Sequence, residues 1–119
     1  MPFIELFKNF RDKYMRSAVD KLDFPDFPPD TEKRYRIIFS GIVQGVGFRY
    51  EAWLIANKLG LTGFAENRPN GDVRMEVQGA ENKIFHLIYC LESIPRIHIE
   101  NKRMEELDLI EETEFTPVY

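Results

Sequence analysis

The apolar residues of this chain form short runs whose spacing alternates between two periods. Residues 35–43 are rich in β-branched and aromatic side chains, a composition typical of a β-strand. The next apolar positions recur at i, i+3, i+4 and i+7 and predict the buried face of a helix: Ala52, Ile55, Ala56 and Leu59. Gly60 follows this run, so we expect the helix to end there.

The second half of the chain repeats this alternation. Residues 61–67 and 72–78 are predicted strands, and in the second one every other residue is apolar. Between them, Asn70 and Gly71 can adopt the positive φ angles of a tight hairpin turn. A second helix face follows at the same helical spacing: Ile84, Leu87, Ile88 and Leu91. A fourth strand is predicted over 96–104, and a short segment around Phe115 is expected to close the sheet.

This order of elements predicts the class of fold. A β-α-β-β-α-β sequence with two one-sided helices indicates an α+β, ferredoxin-like sandwich, in which both helices cover one face of an antiparallel sheet. Many unrelated functions use that architecture, so it does not define an activity.

The residues before the first strand have a different character. Phe3, Phe7, Phe10 and Tyr14 recur at helical spacing and predict an N-terminal amphipathic helical extension over 1–22. Residues 23–33 contain three prolines and are predicted to form a linker to the domain at 34–119. Packing of the extension on the domain, self-association into a dimer and binding to a membrane surface remain open, and we expect a monomer.

Composition limits the classes of partner that the protein is expected to bind and indicates its cellular compartment. The 119 residues carry a net charge of −4, which disfavours nucleic acid as a partner. One cysteine, Cys90, and two histidines offer neither a disulfide nor a metal-ligand cluster, and a reducing cytosol suits such a chain. No apolar run approaches the roughly 18 residues of a membrane span. The sequence predicts a cytoplasmic protein without metal, other cofactor or membrane partner. The acidic residues of 100–114 are expected to form a solvated edge, with a weak contact to the basic extension as the alternative.

The stretch GIVQGVGFR, residues 41–49, is the strongest candidate for a functional site. A glycine-bearing loop that leads into a helix leaves several N–H groups without partners, and the helix dipole favours an anion beside them. Gly45 and Gly47 allow the backbone to curl around phosphate oxygens, and Arg49 can add a charged fork. From the loop alone, a tight strand-to-helix turn with an exposed arginine stays an equal alternative.

The same stretch resembles the signature of the acylphosphatase family. Asn67 follows Arg49 by eighteen positions, the interval that separates the family's arginine from its asparagine. The resemblance is dense over 41–79, thinner over 80–119, and does not extend to 1–33.

Membership of that family implies hydrolysis of small acyl phosphates to a carboxylate and inorganic phosphate. Arg49 matches the phosphate-binding arginine, and Asn67 matches the asparagine that orients the attacking water. The loop whose amides hold the phosphate is matched by Gln44, Gly45, Val46, Gly47 and Phe48. Whether the Gln44 side chain contacts phosphate or pins the loop stays open. Asn67 read by itself is more typical of a turn or cap residue, and only its interval to Arg49 and the surrounding motif favour a catalytic role. A non-catalytic module that binds phosphate, acyl phosphate or a partner is the alternative function.

Overall fold

A computed structural model describes residues 24–119, so the helix predicted over 1–22 lies outside the described residues. The described residues form seven elements in this order: β1 (Glu32–Ile42), α1 (Phe48–Leu59), β2 (Thr62–Asn67), β3 (Val73–Ala80), α2 (Glu81–Glu92), β4 (His98–Leu107) and β5 (Phe115–Val118). The predicted β-α-β-β-α-β order is confirmed, and the segment around Phe115 is a fifth strand.

The strands lie side by side in the order β4-β1-β3-β2-β5. The first four pair antiparallel, as predicted, whereas β5 pairs parallel with β2 and makes the sheet mixed. The reason is topological. The chain leaves β4 at the end of the sheet where β2 begins, crosses to the opposite edge, and therefore enters β5 in the direction of β2.

Polar contacts hold the segment that crosses from β4 to β5, residues 108–114, against the sheet. Arg34, only 2% exposed, donates to Glu112 over 2.8 Å, and Gln78 exchanges two hydrogen bonds with the main chain of Ile110 at 2.8 and 3.0 Å. Burial opposes the charge of Arg34, but the hydrogen bonds and charges of Glu112 and Glu76 outweigh it and raise the pKa of the guanidinium. The expectation of a purely solvated acidic edge is therefore wrong for Glu112.

The core lies between the sheet and the two helices, as the alternating pattern predicts. The predicted helix faces and the alternating positions of β3 are all buried, and they pack with Ile37 and Phe39 of β1. Helix α1 ends where expected, because Gly60 has a left-handed φ of 71° and Leu61 N–H bonds back to Ala56 O at 2.9 Å.

The β2–β3 turn differs in detail from the prediction. In this turn only Gly71 has a positive φ, 98°, so Asn70 does not take the left-handed conformation expected of it. Gly71 N–H donates to Arg68 O at 3.1 Å, which puts Pro69 and Asn70 at the central positions. Proline has a fixed φ near −65° that suits the first central position, and this moves the turn one residue towards the N-terminus.

Residues 24–31, most of the predicted linker, form no helix or strand but contact α2. The ring of His86 lies 5.1 Å from that of Phe24 and 5.2 Å from that of Phe27. Asp30 accepts a hydrogen bond of 2.9 Å from the main-chain N–H of Asn82, near the start of α2. The approach to β1 therefore follows the helical layer.

Candidate active site

The loop between β1 and α1 alternates the sign of φ from Gln44 to Gly47. Gly45 and Gly47 have φ angles of 72° and 79°, and Val46 between them has a negative φ. Alternation of right- and left-handed conformations turns successive N–H groups towards a common centre, forming an anion-binding concavity. Glycine is favoured at both positions because a Cβ disfavours left-handed backbone.

Apolar side chains anchor this loop while its amides stay available. Val43 and Phe48 are buried, and the ring of Phe48 lies 4.9 Å from that of Phe39 on β1. Within residues 24–119, no acceptor binds the N–H groups of residues 45–49. The loop therefore presents donors at the positive end of a helix dipole, an arrangement that suits a phosphate.

The side chain of Gln44 joins this loop to the β2–β3 turn. Its Nε2 donates to Arg68 O at 2.8 Å and to Asp72 O at 2.9 Å. Both amide hydrogens are thereby used, so of the two roles left open by the sequence, the side chain pins the loop. Its main-chain N–H is separate from this contact and remains a candidate phosphate ligand.

Arg49 occupies the first turn of α1 and reaches towards β5. Its Nη1 donates to Val118 O at 2.6 Å, and its guanidinium carbon lies 4.3 Å from the ring centre of Tyr119. A hydrogen bond and a cation–π contact thus fix the plane of a half-buried arginine. A guanidinium carries five N–H donors, so the Val118 contact does not exhaust its capacity to bind an anion.

Asn67 is the last residue of β2 and is exposed. Two contacts place it near Arg49. Glu66 is paired with Val118, the residue that Arg49 binds, and Gln44 of the loop binds Arg68. The structure therefore brings the loop, Arg49 and the end of β2 to the same end of the sheet.

The structure also shows a residue at the loop that the sequence did not single out. Arg96, between α2 and β4, donates to Val46 O at 2.7 Å and to Glu51 at 2.9 Å. Glu51 is only 2% exposed although it is charged. A buried acidic residue in the first turn of a helix gives no sequence signal of its partner, because the pairing is set by tertiary structure.

The thiol of Cys90 is a further group that could react. Cys90 is buried on α2, and burial raises the pKa of its thiol, which lowers the thiolate fraction at neutral pH. In the described part of the chain, no group of three histidine, cysteine or acidic side chains could hold a metal ion. No helix among residues 24–119 is long and apolar enough to cross a membrane.

Comparison with known sequences gives a consistent result. The acylphosphatase family model matches residues 35–117. An acylphosphatase of Lactobacillus johnsonii is 36% identical over 83 residues, which cover 67% of this chain and 91% of that protein. An acylphosphatase of Clostridium beijerinckii is 53% identical over 55 residues, which cover 46% of this chain and 61% of that protein.

Comparison with solved structures indicates the same family. The crystal structure of acylphosphatase from Bacillus subtilis superimposes with a TM-score of 0.68 at 34% identity, covering 73% of this chain and 99% of that one. The family match over residues 35–117 includes part or all of every strand and helix described, with the loop, Arg49 and Asn67. This chain is a member of the acylphosphatase family.

Proposed function

We propose that residues 44–49 and Asn67 carry out the hydrolysis of acyl phosphates that membership of the acylphosphatase family assigns to this chain. The observation that supports this most is the β1–α1 loop: alternating φ signs at 45–47 and amides without acceptors among residues 24–119, at the start of α1. Backbone donors in this arrangement bind a phosphate without recognising what is attached to it. Small acyl phosphates are therefore the proposed substrates, with inorganic phosphate as a product.

The loop and Arg49 stabilise the charge that develops on the transferred phosphoryl group. In phosphoryl transfer the transition state is loose, with charge spread over three equatorial oxygens. The amides of Gly45, Val46, Gly47 and Phe48, together with that of Gln44, meet these oxygens from the helix side. Arg49, oriented by Val118 and Tyr119, meets them from the side of β5. Removal of a single such donor typically lowers the rate by about 10²–10³-fold.

Asn67 acts by orienting the attacking water. Its amide is neutral at all working pH values, so it holds the water in line with the phosphorus rather than removing its proton. The leaving group is a carboxylate, whose conjugate acid has a pKa of about 4–5, similar to that of an acidic side chain. Such a group departs without being protonated, and the reaction needs no general acid.

The setting of this reaction is also a proposal. A single buried cysteine, Cys90, suits a reducing compartment, and we assign the protein to the cytoplasm, where it acts as a monomer. Size-exclusion chromatography with light scattering tests the monomer: a stable dimer would refute it and direct attention to residues 1–22.

The test is a hydrolysis assay with benzoyl phosphate, with inorganic phosphate as competitive inhibitor. Arg49→Ala is expected to abolish measurable turnover and to weaken phosphate inhibition while the domain still unfolds in one cooperative thermal transition. Asn67→Ala is expected to lower kcat by about 10²-fold with little change in phosphate inhibition, because water positioning acts in the transition state. Arg103→Ala, an exposed arginine on β4, is the matched control and should retain wild-type kinetics.

Two results would contradict the assignment. Normal turnover by Arg49→Ala would remove the arginine from the site. Phosphate binding by the wild type without any hydrolysis would instead support a non-catalytic binding module.

A further inference from the structure

Arg96 connects the phosphate loop to a buried carboxylate. It lies in the turn between α2 and β4, and its side chain is 43% exposed. Nε donates to Val46 O at 2.7 Å, and Nη2 donates to Glu51 Oε1 at 2.9 Å. One guanidinium thus binds a loop carbonyl and a carboxylate in the first turn of α1 at the same time.

The contact with Val46 sets the direction of one peptide group in the loop. The structure contains no cis peptide bond among the described residues, so the Val46–Gly47 peptide is trans. In a trans peptide the carbonyl and the following N–H point in opposite directions. Because Val46 O is directed towards Arg96, the N–H of Gly47 is directed away from Arg96, towards the concave side of the loop.

We infer that Arg96 is a positioning residue: it aims the Gly47 N–H at the phosphate by holding Val46 O, and it neutralises Glu51 beside the anion site. This inference rests on the proposed function of the loop. Arg96 does not need to touch the substrate, since it acts through the orientation of the Val46–Gly47 peptide.

The second part of the inference concerns charge. Glu51 is almost fully buried within the first turn of α1, whose N-terminal end is proposed to receive a phosphate. The helix dipole stabilises a carboxylate at that position, but the carboxylate also repels an anion bound nearby. The ion pair with Arg96 cancels this charge. The amides and the helix dipole can then attract the phosphate without opposition from Glu51.

The experiment compares Arg96→Gln, Arg96→Lys and the control Arg103→Gln in the full chain. We measure kcat and KM for benzoyl phosphate, Ki for inorganic phosphate, and thermal unfolding. Arg96→Gln is expected to raise Ki and KM by at least about 10-fold, because a misdirected donor loses much of the effect of a complete one. A lysine makes one of the two contacts at a time, so Arg96→Lys should lie between wild type and Arg96→Gln. Arg103→Gln should stay within about twofold.

A double variant tests whether Arg96 neutralises Glu51. Adding Glu51→Gln to Arg96→Gln removes the carboxylate that has lost its ion pair with residue 96 and should recover part of the lost phosphate affinity. No recovery in this double variant would refute the neutralising role.

A direct measurement does not depend on any variant folding. On titration of the wild type with phosphate, the Gly47 amide proton should move downfield in a ¹⁵N-resolved spectrum. An unmoved Gly47 signal under phosphate saturation would overturn the inference, as would an Arg96→Gln variant whose Ki matches that of Arg103→Gln. Arg49→Ala, assayed in parallel, separates the two proposals. Unchanged phosphate binding there refutes the proposed site itself, whereas loss there combined with an unaffected Arg96→Gln refutes only the role of Arg96.

Discussion

The sharpest test of how the site is assembled is the replacement of Gln44 by methionine. Gln44 Nε2 is the link between the phosphate loop and the turn that follows Asn67, through Arg68 O and Asp72 O at 2.8 and 2.9 Å. Methionine has a similar length and no hydrogen-bonding amide. The substitution therefore removes the link while the side chain still fills the same space.

The structure allows the cost in stability to be worked out. Each carbonyl keeps another partner after the change, since Gly71 N–H donates to Arg68 O at 3.1 Å and Arg68 N–H donates to Asp72 O at 2.8 Å. Neither oxygen is left unsatisfied, so each lost bond costs the lower part of the usual range, about 0.5–1 kcal/mol. The sum is about 1–2 kcal/mol, which for a domain of this size lowers Tm by roughly 5–15 °C.

The expected kinetic effect is larger than the stability effect. Without the link, the loop and Asn67 lose their fixed relation, and a displacement of about 1 Å at a reacting centre can cost about 10²-fold in rate. We expect kcat for benzoyl phosphate to fall by about 10–100-fold with a smaller change in KM. Gln44→Glu keeps the shape but directs a carboxylate at two carbonyl oxygens, and it should be at least as severe.

Gln78→Met is the matched control. It removes a glutamine that also makes two hydrogen bonds to main chain, with Ile110, but at the opposite end of the sheet. Gln78 accepts a further hydrogen bond of 3.3 Å from Arg34 Nη1, so the substitution should lower Tm by at least as much as Gln44→Met while leaving kcat unchanged. If Gln44→Met has wild-type kcat, or if Gln78→Met loses as much activity, the reasoning about the link is wrong.

Two further predictions concern stability. Gly63→Ala places a Cβ 1.9 Å from Glu76 O, and we expect a loss of about 3 kcal/mol in chemical unfolding. Gly60→Ala meets no atom within 4 Å and should cost only about 1 kcal/mol for its left-handed φ; equal losses would refute the clash. The hydrogen bond to Glu81 raises the pKa of Tyr35 to about 12, so the native state favours the protonated phenol. The stabilisation is complete below the ordinary value of about 10 and disappears as pH rises through 12, and the advantage of wild type over Tyr35→Phe in urea unfolding should disappear over the same interval. A constant difference would contradict this.

Much of the fold could be predicted because local pattern and burial agree. The four antiparallel strands and both helix faces follow from periods of 2 and 3.6 residues, and Gly60 ends α1 as its sequence position indicates. The parallel pairing of β5 could not be predicted in this way. It depends on which edge the chain reaches after β4, and the contacts that guide it, Arg34 with Glu112 and Gln78 with Ile110, join residues far apart in sequence.

The candidate site, too, could be predicted only in part from the sequence. Glycine at 45 and 47 and the resemblance around Arg49 and Asn67 indicated which residues to examine. The groups that hold them in place, such as Arg96 and the main chain of Val118, have no local signature. Arg96 lies in the turn between α2 and β4, and its role depends on the return of β4 to the side of β1.

The two outer strands of the described sheet have a consequence for behaviour at high concentration. An open strand edge invites the addition of a strand from another molecule, which is a route to aggregation. Along β4, the outer strand on one side, charged side chains are frequent and most residues are exposed. At the other side, Pro117 deprives β5 of one main-chain donor. Both edges therefore disfavour strand addition, and the domain can keep a five-stranded open sheet in a crowded solution without closing it into a barrel.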